Sequence, residues 1–135
     1  MKMLRRALED ENDNVLNVED MSEEEWVAFD LDGTAAVYNG WNGIEHIGEP
    51  IARTIAMIKA FLGKGVKVKF LTARVACADP TERRLARKYI ADWSLEHIGT
   101  ALEATCIKDR FMVRQYDDRA RQVVENTGEL VLNNR

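Results

Sequence analysis

The run Trp26-Val27-Ala28-Phe29 is apolar at every position and stops at Asp30-Leu31-Asp32-Gly33-Thr34. A strand that alternates can leave one face to water; one that is apolar throughout reads as covered on both faces, the usual condition of a parallel sheet. Parallel strands need crossover connections, most often helices, and the chain downstream is patterned to supply them. Pro50 is placed to open a helix. Ile51, Ile55, Ile58 and Leu62 then recur at helical spacing until Gly63 and Gly65 stop it. Val66, Val68 and Phe70 alternate with Lys67 and Lys69 and lead through Leu71 to Thr72, a second strand. Asp79-Pro80 has the form of a helix cap followed by a first-turn proline. The helix predicted over residues 81–97 carries Leu85, Tyr89, Trp93 and His97 on one side and ends at Gly99. Short strands are expected over 104–107 and 111–116, the latter closing on Asp117-Asp118. Val123-Val124 and residues 130–132 are candidates for a fifth strand or an edge. Strands alternating with helices predict one three-layer, Rossmann-like α/β domain with a mainly parallel central sheet.

Charge separates this body from what precedes it. The net charge of the 135 residues is −4, yet residues 1–25 hold three bases and nine acids, for −6, which leaves +2 on residues 26–135. Residues 1–25 therefore read as an acidic N-terminal arm, with a short helix over 3–9 or a mobile tail as its expected states. No apolar central region follows Arg5-Arg6, so the start is not expected to be a signal peptide, and no apolar run approaches membrane-spanning length. Cys77 and Cys106 form no Cys-x-x-Cys pair and are expected to be buried free thiols in a reducing cytoplasm. His46 and His97, the two histidines, have no ligand spacing to a cysteine, which argues against structural zinc.

In open parallel sheets ligands bind beyond the carboxyl ends of the strands. The residues at that edge are Asp30 and Asp32 after the first strand, Thr72 after the second, Lys108 after the third, and Asp117 and Asp118 after the fourth. Four carboxylates at one edge repel unless a cation intervenes, and one lysine does not balance them. An all-oxygen donor set beside phosphate suits Mg²⁺. Next to such an ion a carboxylate can attack phosphorus to give an aspartyl-phosphate. A second carboxyl, its pKa raised by its neighbours, can protonate the leaving group and then activate water. The hydroxyl and the ammonium can bind phosphoryl oxygens.

The order Asp30-Leu31-Asp32-Gly33-Thr34, then Leu71-Thr72-Ala73-Arg74, then Lys108, then Asp117-Asp118 resembles the haloacid dehalogenase superfamily, over residues 26 to about 126. The resemblance implies a Mg²⁺-dependent phosphatase. Asp30 would be the nucleophile and Asp32 the acid/base, its backbone carbonyl also a metal ligand. Thr72 would bind phosphate, Lys108 would steady the nucleophile and phosphoryl group, and Asp117 and Asp118 would complete the metal set. Gly33, Thr34, Ala73 and Arg74 would line the substrate side. An acid at Asp32 favours phosphoryl transfer, since the dehalogenases themselves lack one there. Lys108 precedes Asp117 by nine residues, closer than the family norm, and Ala35 stands where a larger apolar residue is common.

Members of the superfamily often insert a cap domain. Here Thr34 to Pro50 leaves room for a flap and no more, so the chain is similar to the capless members, which oligomerise or act on large substrates. The expected substrate is a phosphoester, either a nucleotide or other small molecule or a nucleic-acid end, with no membrane partner and a homo-oligomer as one route to a closed site. Tyr38, Trp41 and His46 in the flap are expected to pack it onto the body, stacking on a substrate ring being the alternative. Arg74 is expected either to reach a substrate phosphate or to pair with an acid at the surface. The cluster Arg83-Arg84-Arg87-Lys88 is expected to be a solvated helix face. Two other functions carry similar groups: a receiver-like signalling module, which would place its phosphorylated Asp after the third strand, and a phosphate- or metal-binding protein without turnover.

Overall fold

The computed structural model describes residues 16–132. The helix expected over residues 3–9 lies outside them. Among the described residues, four strands and two α-helices follow in the order β1 (Trp26–Phe29), α1 (Ala52–Gly63), β2 (Lys67–Leu71), α2 (Pro80–His97), β3 (Ala104–Thr105) and β4 (Met112–Tyr116), alternating as far as β3. The sheet runs β3-β2-β1-β4, and every pairing in it is parallel. This is an α/β fold with β1 at its interior, which is why all four β1 residues are buried.

Phe29 lies opposite Phe70 in the β1–β2 register, and residues paired this way point to one face. On that face Phe29 meets Phe61 of α1 edge-on at 6.1 Å, and Phe70 meets Trp93 of α2 at 6.2 Å. Both helices therefore cover the same face. The described residues show two of the three expected layers, the sheet and one helical layer. Only residues 106–111 separate β3 from β4, too few for a crossover helix. On the other face Lys69 lies 4.6 Å from the centre of the Trp26 ring, and Trp26 Nε1 donates to Asp109 at 2.8 Å.

The helix boundaries follow the chemistry expected of them. Asp79 accepts the Thr81 N–H at 2.9 Å as the α2 cap, with Pro80 at the first position. Gly99, at φ +95°, ends it by donating to Ser94 and Leu95 carbonyls. The inward face of α2 differs from the expected one: Ala86, Ile90, Trp93 and Ser94 are buried, and Leu85 is exposed. A stripe stepped by four residues drifts about 40° per step around a helix, so the series 85-89-93-97 turns out of the core and only Trp93 keeps its place. His97 stays with the helix, its ring 4.9 Å from that of Trp93. The Arg83-Arg84-Arg87-Lys88 face is largely solvated, with Lys88 paired to Asp92.

Val123 and Leu130 bridge each other antiparallel, both about half exposed, and do not join the sheet. The fifth strand is thus a local hairpin. Leu16, Val18 and Met21 pack against the core cluster, so the body begins before residue 26.

Candidate active site

The carboxyl ends of β1, β2 and β4 open into a cavity of ≈ 740 Å³ whose lining includes Asp30, Asp32, Thr72, Arg74, Lys108, Asp117 and Asp118. These seven positions, separated by up to 88 residues of sequence, are delivered to one place because each lies within three residues of the carboxyl end of a strand of the same parallel sheet. Asp30, Asp117 and Asp118 form the acidic centre: each offers a carboxylate oxygen, and the three oxygens lie within 4.8 Å of one another.

The position of Asp118 is built by the first motif. Thr34 Oγ1 accepts the Asp118 N–H at 3.0 Å and donates to its carboxylate at 3.1 Å. Gly33 stands at φ +91°, and a Cβ there would fall 2.7 Å from Asp118 Oδ2. Gly33 and Thr34 therefore seat Asp118 and do not line the cavity, contrary to the substrate contacts expected of them. Asp117 accepts the Arg119 N–H at 2.8 Å, which caps a turn with no helix after it.

The upward shift expected of the second, acid/base carboxyl falls instead on Asp30. Burial, then its hydrogen bond with Asp118, then the charges of Asp117 and Asp118 push its carboxyl up to about 7, against a smaller lowering by the Leu31 N–H. The three acids crowd negative charge with no cation among them. Lys108 is exposed at the rim, and among the described residues no hydrogen bond or ion pair ties it down. Carboxylate oxygens alone, gathered this closely, fit a hard divalent cation such as Mg²⁺.

Asp32 stands apart from that centre. Its carboxylate takes two hydrogen bonds from Arg74, 2.7 Å from Nε and 2.9 Å from Nη2. Of the two destinations open to Arg74, the structure selects the acid. The same guanidinium donates to the Ile44 carbonyl at 3.2 Å and the His46 carbonyl at 2.8 Å, and it lies 5.0 Å from the centre of the Trp41 ring. Arg74 is placed by Thr72, whose Oγ1 accepts the Arg74 N–H at 3.2 Å as the cap of a 3₁₀ turn over Ala73–Val75. As an acceptor there, the buried Thr72 hydroxyl keeps its own proton for a ligand.

No family model, no curated protein and no solved structure matches this chain. What it does rests on the geometry alone.

Three features escaped sequence reasoning. Arg119 also lines the cavity. Cys77 and Cys106 line it as well, the first partly exposed and the second exposed, so the expected burial of both thiols fails. Their positions just after the β2 turn and after β3 were a signal that could have found them. Tyr38 and Trp41 are 41% and 57% exposed on the cavity wall, with the Trp41 ring against the Arg74 guanidinium; His46 is also exposed and contributes its carbonyl. Among the described residues no helix is long and apolar enough to cross a membrane.

Proposed function

We propose that this chain is a Mg²⁺-dependent phosphomonoester hydrolase of the haloacid dehalogenase type, working through an aspartyl-phosphate on Asp30. The observation that carries the proposal is the convergence of Asp30, Asp117 and Asp118 beside Thr72, with Asp32 held separately by Arg74 in the same cavity. The two carboxylates sit in different environments, and the assigned roles require the cation to ionise Asp30 and Asp32 to leave Arg74.

Mg²⁺ bound by Asp30, Asp117 and Asp118, with the Asp32 backbone carbonyl as the family-type fourth protein ligand, would supply the positive charge that keeps Asp30 ionised and offsets the phosphoryl oxygens. An Asp30 carboxylate oxygen attacks phosphorus, and the bond to the ester oxygen breaks. The leaving oxygen takes its proton from Asp32, which must first release an oxygen from Arg74 and take up a proton from solvent. A water then attacks the phospho-Asp30 phosphorus, loses its proton to Asp32, and inorganic phosphate departs with Asp30 restored. The Thr72 hydroxyl donates to a phosphoryl oxygen, Lys108 and Arg119 reach in from the rim, and Ala73 keeps the wall beside Thr72 small. The sheet, its loop order and the absence of any insertion larger than a flap support the capless, Rossmann-like form. The short interval before β4 departs from the three-layer pattern.

The test is hydrolysis of p-nitrophenyl phosphate with Mg²⁺, with EDTA, and by Asp30→Asn. Turnover that needs Mg²⁺ and vanishes in Asp30→Asn is expected. Turnover surviving that substitution, or none across a panel of phosphomonoesters, would sink the mechanism. The double hydrogen bond on Asp32 favours one other function, a phosphate- and metal-binding protein without turnover. Mg²⁺ binding by calorimetry in a protein that hydrolyses nothing would establish it.

A further inference from the structure

Resting on hydrolysis at Asp30, we infer that Trp41 and Tyr38 form a stacking platform for the ring of a nucleoside monophosphate, free or at the end of a strand. Both rings line the cavity that holds the acids, and both leave much of their surface to solvent. Exposed rings at a cavity wall gain most when a flat ligand displaces the water on them.

The platform is held in place. Arg74 anchors the flap through the Ile44 and His46 carbonyls, and Trp93 Nε1 anchors it again through the Gly48 carbonyl at 3.0 Å. Gly48 lets that strand pass close to Val37, where a side chain would overlap the Val37 carbonyl. Gly40 and Gly43, at φ +108° and +99°, turn the tip on either side of Trp41. The base of the flap is thus fixed and its tip projects the indole.

Spacing selects the ligand. The Arg74 guanidinium holds Asp32 and also meets the Trp41 ring, so one side chain lies between the proton-moving acid and the platform. A phosphate attached directly to an aromatic ring leaves no span for that gap. A nucleoside monophosphate places a pentose between phosphate and base and bridges it. Glu82, which also lines the cavity, offers acceptors to sugar hydroxyls or a base amino group.

The experiment compares kcat/KM for adenosine 5′-monophosphate, a 5′-phosphorylated oligonucleotide and glycerol 3-phosphate in the wild type, Trp41→Ala, Trp41→Phe and Tyr38→Ala. One or both ring-bearing substrates should exceed glycerol 3-phosphate. That preference should fall about tenfold in Trp41→Ala, as loss of one base-stacking contact implies, and be largely kept in Trp41→Phe. Which ring-bearing substrate is preferred separates a free nucleotide from a strand end. Independently of turnover, adenosine 5′-monophosphate added in EDTA should quench indole emission in the wild type and not in Trp41→Phe. Hydrolysis with no ring preference, or a preference unmoved by Trp41→Ala, overturns the platform and leaves the phosphatase standing. Absence of hydrolysis overturns the phosphatase, and the quench then decides the platform alone: no quench overturns it.

Discussion

Arg74 and Asp32 form a two-pronged ion pair at 2.7 and 2.9 Å, with side chains only 5% and 21% exposed. It joins the loop after β1 to the loop after β2, and through two flap carbonyls it also positions the cavity wall. Removing the cation leaves a half-buried carboxylate and two carbonyls without their donor. Arg74→Ala should therefore lower stability by about 3 kcal/mol, the low end for breaking such a pair, measured by urea denaturation. Arg74→Lys should recover part of this at most, because an ammonium does not make the forked contact. A loss under 1 kcal/mol in Arg74→Ala would mean that the flap does not depend on this anchor.

Asp30 makes stability fall with pH in the absence of metal. Its carboxyl titrates near 7 in the folded chain against an ordinary 3.8, so the folded form keeps a proton that the unfolded chain has released. The contribution is fully present below pH 3.8 and is lost as pH rises to about 7. In EDTA, Tm should decline across that window for the wild type and decline less for Asp30→Asn. Saturating Mg²⁺ should raise Tm most above pH 7, where Asp30 has lost its proton and binding favours the fold. A Tm insensitive to Mg²⁺ at pH 8 would count against the acid cluster as a cation site.

Gly33→Ala should damage the metal side of the site more than the fold. The added Cβ falls against Asp118 Oδ2 at 2.7 Å, and φ +91° strains any residue with a side chain. The Asp118 carboxylate has to shift from the place it shares with Asp30 and Asp117. The expected outcome is a loss of about 1–3 kcal/mol in stability together with weaker Mg²⁺ binding by calorimetry. Unchanged Mg²⁺ affinity would show that Asp118 is dispensable to it.

Phe61→Ala tests the core that supports the acid-bearing strand ends. Phe61 is fully buried, 6.1 Å from the Phe29 ring and 6.1 Å from Tyr116, which itself stacks on Phe29 at 4.6 Å. Those two residues directly precede Asp30 and Asp117. Truncation should cost about 3–5 kcal/mol and broaden the backbone amide signals of Asp30 and Asp117 in NMR spectra. A cost below 1 kcal/mol would mean the site collapses around the gap.

The strands were legible because burial on a two-faced sheet leaves an apolar signature: β1 begins and ends where its apolar run does, and β2 is off by one residue. The α2 cap was legible because Asp79-Pro80 acts locally. The α2 face was not, since Ala86 and Ser94 look neutral in a sequence and are buried only because the sheet and the 98–102 turn meet them there. Ser94 accepts the Leu102 N–H at 2.8 Å, a partner that no periodicity announces. For the site, the acids at the strand ends could be pooled from topology. The engagement of Asp32 by Arg74 could not be chosen over a substrate contact, because both use the same charge.

Local patterning thus determined the strand–helix alternation, the α2 cap and the set of residues at the carboxyl edge, all of which depend on neighbours in sequence. Tertiary structure decided which of those acids cluster and which is drawn off. Asp30, Asp117 and Asp118 converge because β1 and β4 are adjacent in the sheet. Asp32 turns to Arg74 because the turn capped by Thr72 aims the guanidinium back at β1. It also left Trp41 partly open to the cavity, since the flap is anchored at its base and Arg74 is the side chain that meets the indole at its tip.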